Sequence, residues 1–123
     1  ARLVAWSEQA ERLEMSAAHV GLMPLPHTAW AAGKCALKLL QYQAAGLAAV
    51  ASPVGMNATL ATRGGVLLAD QPSEWSDRLR SLRPLVRRKE LASRGRLLVE
   101  ENYSVQHWAP KLAIMYRNLV NQR

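Results

Sequence analysis

The chain has 123 residues, half of them hydrophobic, and a formal net charge of +7. This length suits one domain and not two, and the hydrophobic content predicts a packed core and not a disordered chain. No apolar run approaches the roughly 20 residues that span a bilayer, so no transmembrane segment is expected. Cys35 is the only cysteine, which excludes an intrachain disulfide and a cysteine zinc site and suits a reducing compartment.

Basic residues are concentrated in the second half of the chain. Of the 16 Lys and Arg residues, 11 lie at or beyond Arg78. This asymmetry favours an anionic partner such as a phosphate or an anionic membrane surface, although a solvated helix face gives the same pattern. The aromatic residues do not interleave with the basic ones as a base-stacking surface requires, so nucleic-acid binding is not expected.

Strands and helices alternate along the chain. Continuous apolar runs are typical of parallel strands covered on both faces, whereas capping residues and periodic apolar positions mark helices. The predicted strands are Leu3–Trp6, Val20–Leu25, Leu47–Ser52 and Val66–Ala69. A loop is predicted over 27–32, and helices over about 8–16 (capped by Ser7), 34–45, 58–62, from Asp70 or Ser73 to Leu82, 84–102 and from Ser104 onwards.

This order predicts an α/β fold. We expect an open, Rossmann-like parallel sheet with flanking helices and right-handed crossovers over 1–82, followed by a helical segment over 83–123, all within a single partial domain. Ligands of such sheets bind beyond the carboxyl ends of the strands. Three stretches should converge there, namely Trp6–Glu8, Leu25–Lys34 and Ser52–Asn57.

Gly33 and Lys34 are predicted to open the central helix, with Lys38 one turn further on the same face. Free backbone N–H groups, the helix dipole and a lysine together favour a phosphate. The alternative is that both lysines are solvent-exposed residues of a helix start. The spacing is not that of a P-loop, because the Gly-x4-Gly-Lys-Ser/Thr pattern is absent.

Other candidate residues have a structural alternative as well. Gln41 could bind sugar hydroxyls through its amide or be an ordinary polar position. The segment Pro24-Leu25-Pro26 could form a pocket wall or simply end a strand. There is no Gly-x-Ser-x-Gly elbow, no His-Glu-x-x-His motif and no cluster of histidines, so neither hydrolytic catalysis nor a metal site is expected.

Short blocks of residues run along nearly the whole chain in a fixed order. They are Val20–Pro26, Trp30, Gly33-Lys34, Lys38–Tyr42, Ala44–Gly46, Val50–Asn57, Trp75, Gly95-Arg96, Val99-Glu100, Tyr103-Ser104 and Trp108–Pro110. In this order they resemble the family-4 type (group 1) retaining glycosyltransferases.

The resemblance implies the GT-B architecture, in which two Rossmann-like domains enclose the active site. This chain resembles an incomplete C-terminal half, the half that binds the nucleotide-sugar donor. The full enzyme would transfer a hexose from a nucleotide-diphosphate sugar to a glycan or lipid-linked acceptor, as in polysaccharide biosynthesis, with the acceptor bound by a missing N-terminal domain. The resemblance implies no metal and no cofactor besides the donor, and the fragment alone is expected to be inactive.

The resemblance also assigns roles to residues. The helix start at Gly33 together with Lys34 and Lys38 would hold the leaving diphosphate, Gln41 would hold the ribose, and Trp6 would lie near the nucleobase. Pro24, Leu25, Pro26, Pro53, Gly55 and Asn57 would line the donor cleft, and no residue is assigned a catalytic role.

Two features depart from the family pattern. The family's pair of glutamates, separated by seven residues, falls on Gly33 and Gln41. The Arg and Lys that neutralise the diphosphate earlier in the family's domain have no counterpart in this chain.

The start of the chain, Ala-Arg-Leu-Val-Ala-Trp, suggests the middle of a longer protein. Leu3–Trp6 resembles the third strand of the family's domain and Val20–Leu25 the fourth, so the first two strands are missing. We expect the unpaired edge of Val20–Leu25 to be covered by Leu3–Trp6 or by another chain. A homodimer through this edge is therefore a candidate assembly.

Two alternatives stay open. A non-catalytic interaction module that kept the Rossmann-like shell would account for the missing glutamates, and a basic helical nucleic-acid binder would show salt-dependent affinity for DNA. The expected location is the cytoplasm, with peripheral attachment to the inner membrane through the basic half.

Overall fold

The structure of the protein, a computed structural model, describes residues 2–121. Within this range lie three strands, β1 (Val20–Met23), β2 (Ala48–Ala51) and β3 (Val66–Leu68). The helices of the same range are α1 (Glu8–Ala17), α2 (Ala29–Ala32), α3 (Leu37–Ala44), α4 (Met56–Arg63), α5 (Pro72–Ser81), α6 (Leu85–Asn102) and α7 (Val105–Asn121). None of these helices is both long enough and apolar enough to cross a bilayer.

The strands form a small open parallel sheet in the order β1-β2-β3. In β1 and β2, Val20 stands opposite Ala48 and Met23 opposite Ala51. In β2 and β3, Ala49 stands opposite Val66. The sequence-based prediction of a mixed α/β fold with a parallel sheet and flanking helices is confirmed at this level.

The central strand β2 is buried along its whole length. Because side chains alternate across a strand, Ala49 and Ala51 face one side and Ala48 and Val50 the other. The first side packs against residues of α3, α4 and α6 that include Leu39, Leu60 and Leu98. The second side packs with Leu82, which follows α5, and with Leu91 of α6. Helices on both sides of the sheet account for the continuous apolar run that the sequence shows.

α3 and α6 pack closely through small residues. Gln43 of α3 is fully buried, and its Nε2 donates to the carbonyl oxygen of Gly64 at 3.2 Å. A Cβ on Gly95 of α6 would lie 2.8 Å from Cγ of Gln43, and one on Gly65 would lie 2.5 Å from Cα of Gly95. Glycine at these positions lets the turn before β3 and both helices meet at backbone distance.

Capping residues mark helix boundaries as the sequence indicates. The Ser7 hydroxyl accepts from the Ala10 N–H at 3.0 Å, and the Ser104 hydroxyl accepts from the His107 N–H at 3.2 Å. Gly46 follows α3 with a φ of +74°, as expected for a glycine that ends a helix.

The prediction that Leu3–Trp6 forms a strand is wrong. The segment pairs with no strand among the described residues and Leu3 is fully exposed. Side-chain hydrogen bonds hold it to α1, since Arg2 Nη2 donates to Glu14 at 2.5 Å and Trp6 Nε1 donates to Glu11 at 2.8 Å. β1 therefore keeps an unpaired outer edge within residues 2–121.

We expect Gly65→Ala to destabilise the fold more than Gly46→Ala does. Both glycines have a positive φ, +83° and +74°, which costs an alanine about 1–2 kcal/mol. A Cβ at Gly46 meets nothing within 4 Å, whereas one at Gly65 meets the backbone of Gly95 at 2.5 Å. The collision should lower the free energy of unfolding by roughly a further 1–3 kcal/mol in urea denaturation. Equal losses in the two variants would contradict the close packing of the Gly65 turn on α6.

Candidate functional site

A cleft of about 370 Å³ lies beside the outer edge of β1. The N-terminal segment, α1, β1 and α3 all contribute to its walls, so distant parts of the sequence meet there. Much of its lining is apolar and includes Val4, Met15, Val20, Leu22 and Leu47. Small-molecule sites are typically concave and apolar with a few convergent polar groups, and this cleft has that character.

Several polar groups of the cleft gather around Glu11, whereas a second carboxylate of its lining, Glu14, pairs with Arg2. Lys38 Nζ donates to Glu11 Oε1 at 2.5 Å, and Trp6 Nε1 donates to Glu11 Oε2 at 2.8 Å. The Glu11 side chain is 17% exposed and that of Lys38 is 49% exposed. The hydrogen bond from Lys38, followed by that from Trp6, lowers the pKa of Glu11 below its ordinary value. Glu11 is therefore ionised at neutral pH, and it compensates the charge of Lys38.

Two residues of the predicted donor site, Trp6 and Lys38, are thus brought together in the wall of the cleft. Gln41 is close to Glu11, and its amide also helps to lower the pKa of that carboxyl group. The Gln41 side-chain oxygen is buried and has no hydrogen-bond partner among residues 2–121. Sequence analysis placed Glu11 only in the first turn of α1, because nothing in the sequence indicates which distant cation a carboxylate will meet.

Tyr42 lines the cleft next to β1. Its ring packs on Gly21 so closely that a Cβ at that position would lie 2.3 Å from the ring. Its hydroxyl donates to the carbonyl oxygen of Leu22 at 3.3 Å. The carbonyl oxygen of Met23 accepts from the N–H of Ser52, just beyond β2, so the neighbouring carbonyl of Leu22 faces the unpaired edge of the sheet. Tyr42 therefore covers one of the exposed backbone acceptors of β1.

The prediction that Gly33 and Lys34 open the central helix is wrong. α3 begins at Leu37, after Ala36 in a left-handed conformation with φ +57°, and Gly33 instead ends the short helix α2. The predicted loop over 27–32 contains that helix because the Thr28 hydroxyl accepts from the Ala31 N–H at 3.2 Å. Thr28 was the available signal, since threonine is a favourable N-cap residue. Gly33 and Lys34 are both exposed and do not line the cleft beside β1.

A second group of predicted residues lies at the carboxyl ends of the strands. The Leu25 N–H donates to the Ser52 hydroxyl at 2.9 Å, which ties the segment Pro24–Pro26 to the end of β2. Asn57 is 1% exposed, and its amide donates to the Ser52 carbonyl at 3.1 Å. Gly55 has a φ of +53° and lies against the backbone of Ala32. These contacts hold loops in place, and neither this group nor Pro53 lines the cleft that contains Lys38.

His27 and Asp70 form a contact that the sequence analysis did not anticipate. His27 Nε2 lies 2.6 Å from Asp70 Oδ1 and joins the loop after β1 to the loop after β3. This hydrogen bond is the main cause of a lowered pKa of Asp70. Glu74 accepts from the N–H groups of Asp70 and Gln71 at the start of α5, and these bonds lower the pKa of Glu74. The carboxyl ends of all three strands are therefore linked, as expected for a parallel sheet.

Comparison with known proteins gives no match to a protein-family model, to a curated protein or to a solved structure. The geometry of the site is therefore the basis for the functional interpretation.

We expect the Glu11 cluster to stabilise the fold at neutral pH and not at low pH. The pKa of Glu11 is lowered in the folded state, so its contribution is present above its unfolded pKa and is lost as the pH falls through the folded pKa. Glu11→Gln should therefore lower the free energy of unfolding at pH 7, with a difference from the parent chain that shrinks as the pH falls below about 4. Urea unfolding measured from pH 7 to pH 3 tests this expectation.

Glu8→Gln is the matched control, because Glu8 belongs to the same helix but pairs with Arg12 in an exposed contact. That substitution should change stability little at any pH. A pH-independent loss in Glu11→Gln would contradict the role assigned to the ionised carboxylate.

Proposed function

We propose that the protein is the donor-binding part of a retaining glycosyltransferase and that the cleft beside β1 receives the nucleotide sugar. The observation that carries this proposal is the meeting of Trp6 and Lys38 at Glu11 in the wall of a largely apolar cleft. An indole ring offers a stacking surface for a nucleobase, and an ammonium group offers a charge for a diphosphate. The open parallel sheet with helices on both faces is consistent with a Rossmann-like half of a GT-B enzyme.

Lys38 would act electrostatically. Negative charge develops on the diphosphate as the bond to the sugar breaks, and a fixed cation stabilises that charge. Lys38 lies in the first turn of α3, so the positive end of the helix dipole adds to its potential. Gly33 and Lys34 are no longer candidates for this role, because neither lies at the start of α3 or in the cleft.

Glu11 would regulate access to Lys38. Glu11 Oε1 already accepts a hydrogen bond from Lys38 Nζ at 2.5 Å, and the negative charge of the carboxylate would repel an incoming phosphate. The diphosphate must therefore replace Glu11 as the partner of the ammonium group. Gln41, with an unpartnered oxygen next to this cluster, is available to accept from a ribose hydroxyl if its side chain turns toward the cleft.

A non-catalytic interaction module is the second candidate function. The ion pair between Lys38 and Glu11 favours this candidate, because a lysine whose charge is already neutralised within the chain attracts an anion less strongly. Gly33 and Gln41 also stand where the resembled family has glutamates. Binding of nucleotides separates the two candidates.

Isothermal titration calorimetry with UDP and GDP should detect binding that depends on Lys38. Loss of a hydrogen bond to a charged group costs about 1.5–3 kcal/mol, so Lys38→Ala should weaken binding about tenfold or more. Glu11→Gln removes the competing charge and should strengthen binding severalfold. Lys34→Ala is the matched control, because Lys34 is close to Lys38 in the sequence but lies outside the cleft. This substitution should leave the affinity unchanged.

The pattern across the variants decides the outcome. Binding that falls in Lys38→Ala and rises in Glu11→Gln supports the donor site. If binding is lost in Lys34→Ala and kept in Lys38→Ala, the phosphate binds at the loop after α2 and not at Lys38. Absence of binding to both nucleotides by the correctly folded chain would favour the interaction module.

A further inference from the structure

The last helix, α7, carries a large apolar surface that its neighbour α6 covers only in part. None of its described residues is buried. At 100° per residue all of its large apolar side chains except Ile114 fall in one sector of about 140°, a width typical of an amphipathic helix. Each of them is between 42% and 76% exposed, and they are Val105, Trp108, Leu112, Met115, Tyr116, Leu119 and Val120.

The charges of α7 all have one sign. Lys111 and Arg117 lie on opposite borders of the apolar sector, and the helix contains no Asp or Glu. Pro110 lies on the polar side, so the break it causes in the helical hydrogen bonding does not interrupt the apolar sector. Long basic side chains beside an apolar face can reach toward a charged interface while their stems contact apolar groups.

The neighbouring helix extends this positive character. α7 packs against α6, and residues 85–121, which contain both helices, carry seven Lys and Arg against three Glu. A second copy of the chain is a poor occupant for the apolar face, because two α7 faces brought together would juxtapose cations with no acidic residue on either helix to neutralise them. An anionic lipid surface would bind the apolar sector and would also neutralise the basic residues at its borders.

We propose that α7 binds in the plane of an anionic lipid bilayer, with its apolar sector in the headgroup region and Lys111 and Arg117 among the lipid phosphates. Binding depends on both components, the buried apolar area and the anionic lipid. The proposal is independent of any nucleotide bound beside β1, because none of the residues of α7 lines that cleft.

Vesicle co-sedimentation with the full chain tests the proposal. Vesicles of phosphatidylcholine mixed with phosphatidylglycerol should bind the chain, vesicles of phosphatidylcholine alone should bind it weakly, and added salt should reduce binding to the mixed vesicles. Each basic residue near an anionic surface contributes about 1 kcal/mol, or about fivefold. The double variant Lys111→Gln/Arg117→Gln should therefore lower the partition coefficient about 25-fold.

The apolar component has its own matched pair of variants. Leu119→Gln removes an apolar side chain from the sector, where it is 56% exposed, and should weaken binding to mixed vesicles about fivefold or more. Ile114→Gln removes one of similar exposure, 55%, from the opposite side of the helix and should leave binding unchanged. Both side chains are exposed, so neither change should unfold the chain, which circular dichroism verifies.

Three results would overturn the proposal. The first is equal binding to vesicles with and without phosphatidylglycerol. The second is equal loss in Leu119→Gln and Ile114→Gln. The third is absence of vesicle binding by a folded chain. In that case light scattering would show either a monomer or a dimer. A dimer that Leu119→Gln dissociates would indicate that a second copy covers the apolar face.

Discussion

Burial of β2 on both faces is the constraint on which the rest of the structure depends. Ala48, Ala49, Val50 and Ala51 are at most 1% exposed, and three of them are alanines, so helices can approach the sheet closely from either side. The strand is central because β1 and β3 pair with its two edges, both in parallel. That pairing brings the three carboxyl ends together, and α3 and α6 are then held against each other through Gln43, Gly65 and Gly95.

The contact between Glu11 and Lys38 connects this framework to the candidate site. α1 has no buried residue, and Lys38 of α3 donates to its Glu11. The hydrogen bond from Trp6 to the same carboxylate holds the N-terminal segment against α1. The cleft exists because that segment stays with α1 and leaves the edge of β1 unpaired. The polar cluster is thus both a structural connection and the place where an anionic ligand would compete.

Sequence reasoning predicted local features well and distant partners poorly. Ser7, Gly46 and Ser104 mark helix ends because capping chemistry is local, and β2 was found because its apolar run is continuous. Leu3–Trp6 has the composition of a strand, but a strand also needs a partner edge, which composition cannot show. The start of α3 was misplaced because Ala36 adopts a left-handed conformation that is unusual for alanine. For the candidate site, Trp6 and Lys38 were named from the sequence, whereas Glu11, which joins them, required the fold.

The contact between Tyr42 and Gly21 has a consequence for how the chain behaves at high concentration. An uncovered strand edge is a template for another strand, and the Tyr42 hydroxyl already occupies the outward carbonyl of Leu22. The Tyr42 ring can reach this carbonyl only because position 21 is a glycine, since a Cβ there would collide with the ring. A larger residue there would displace the ring from the edge while leaving β1 paired with β2. Position 21 is therefore expected to control self-association before it controls folding, which light scattering would register earlier than an unfolding curve.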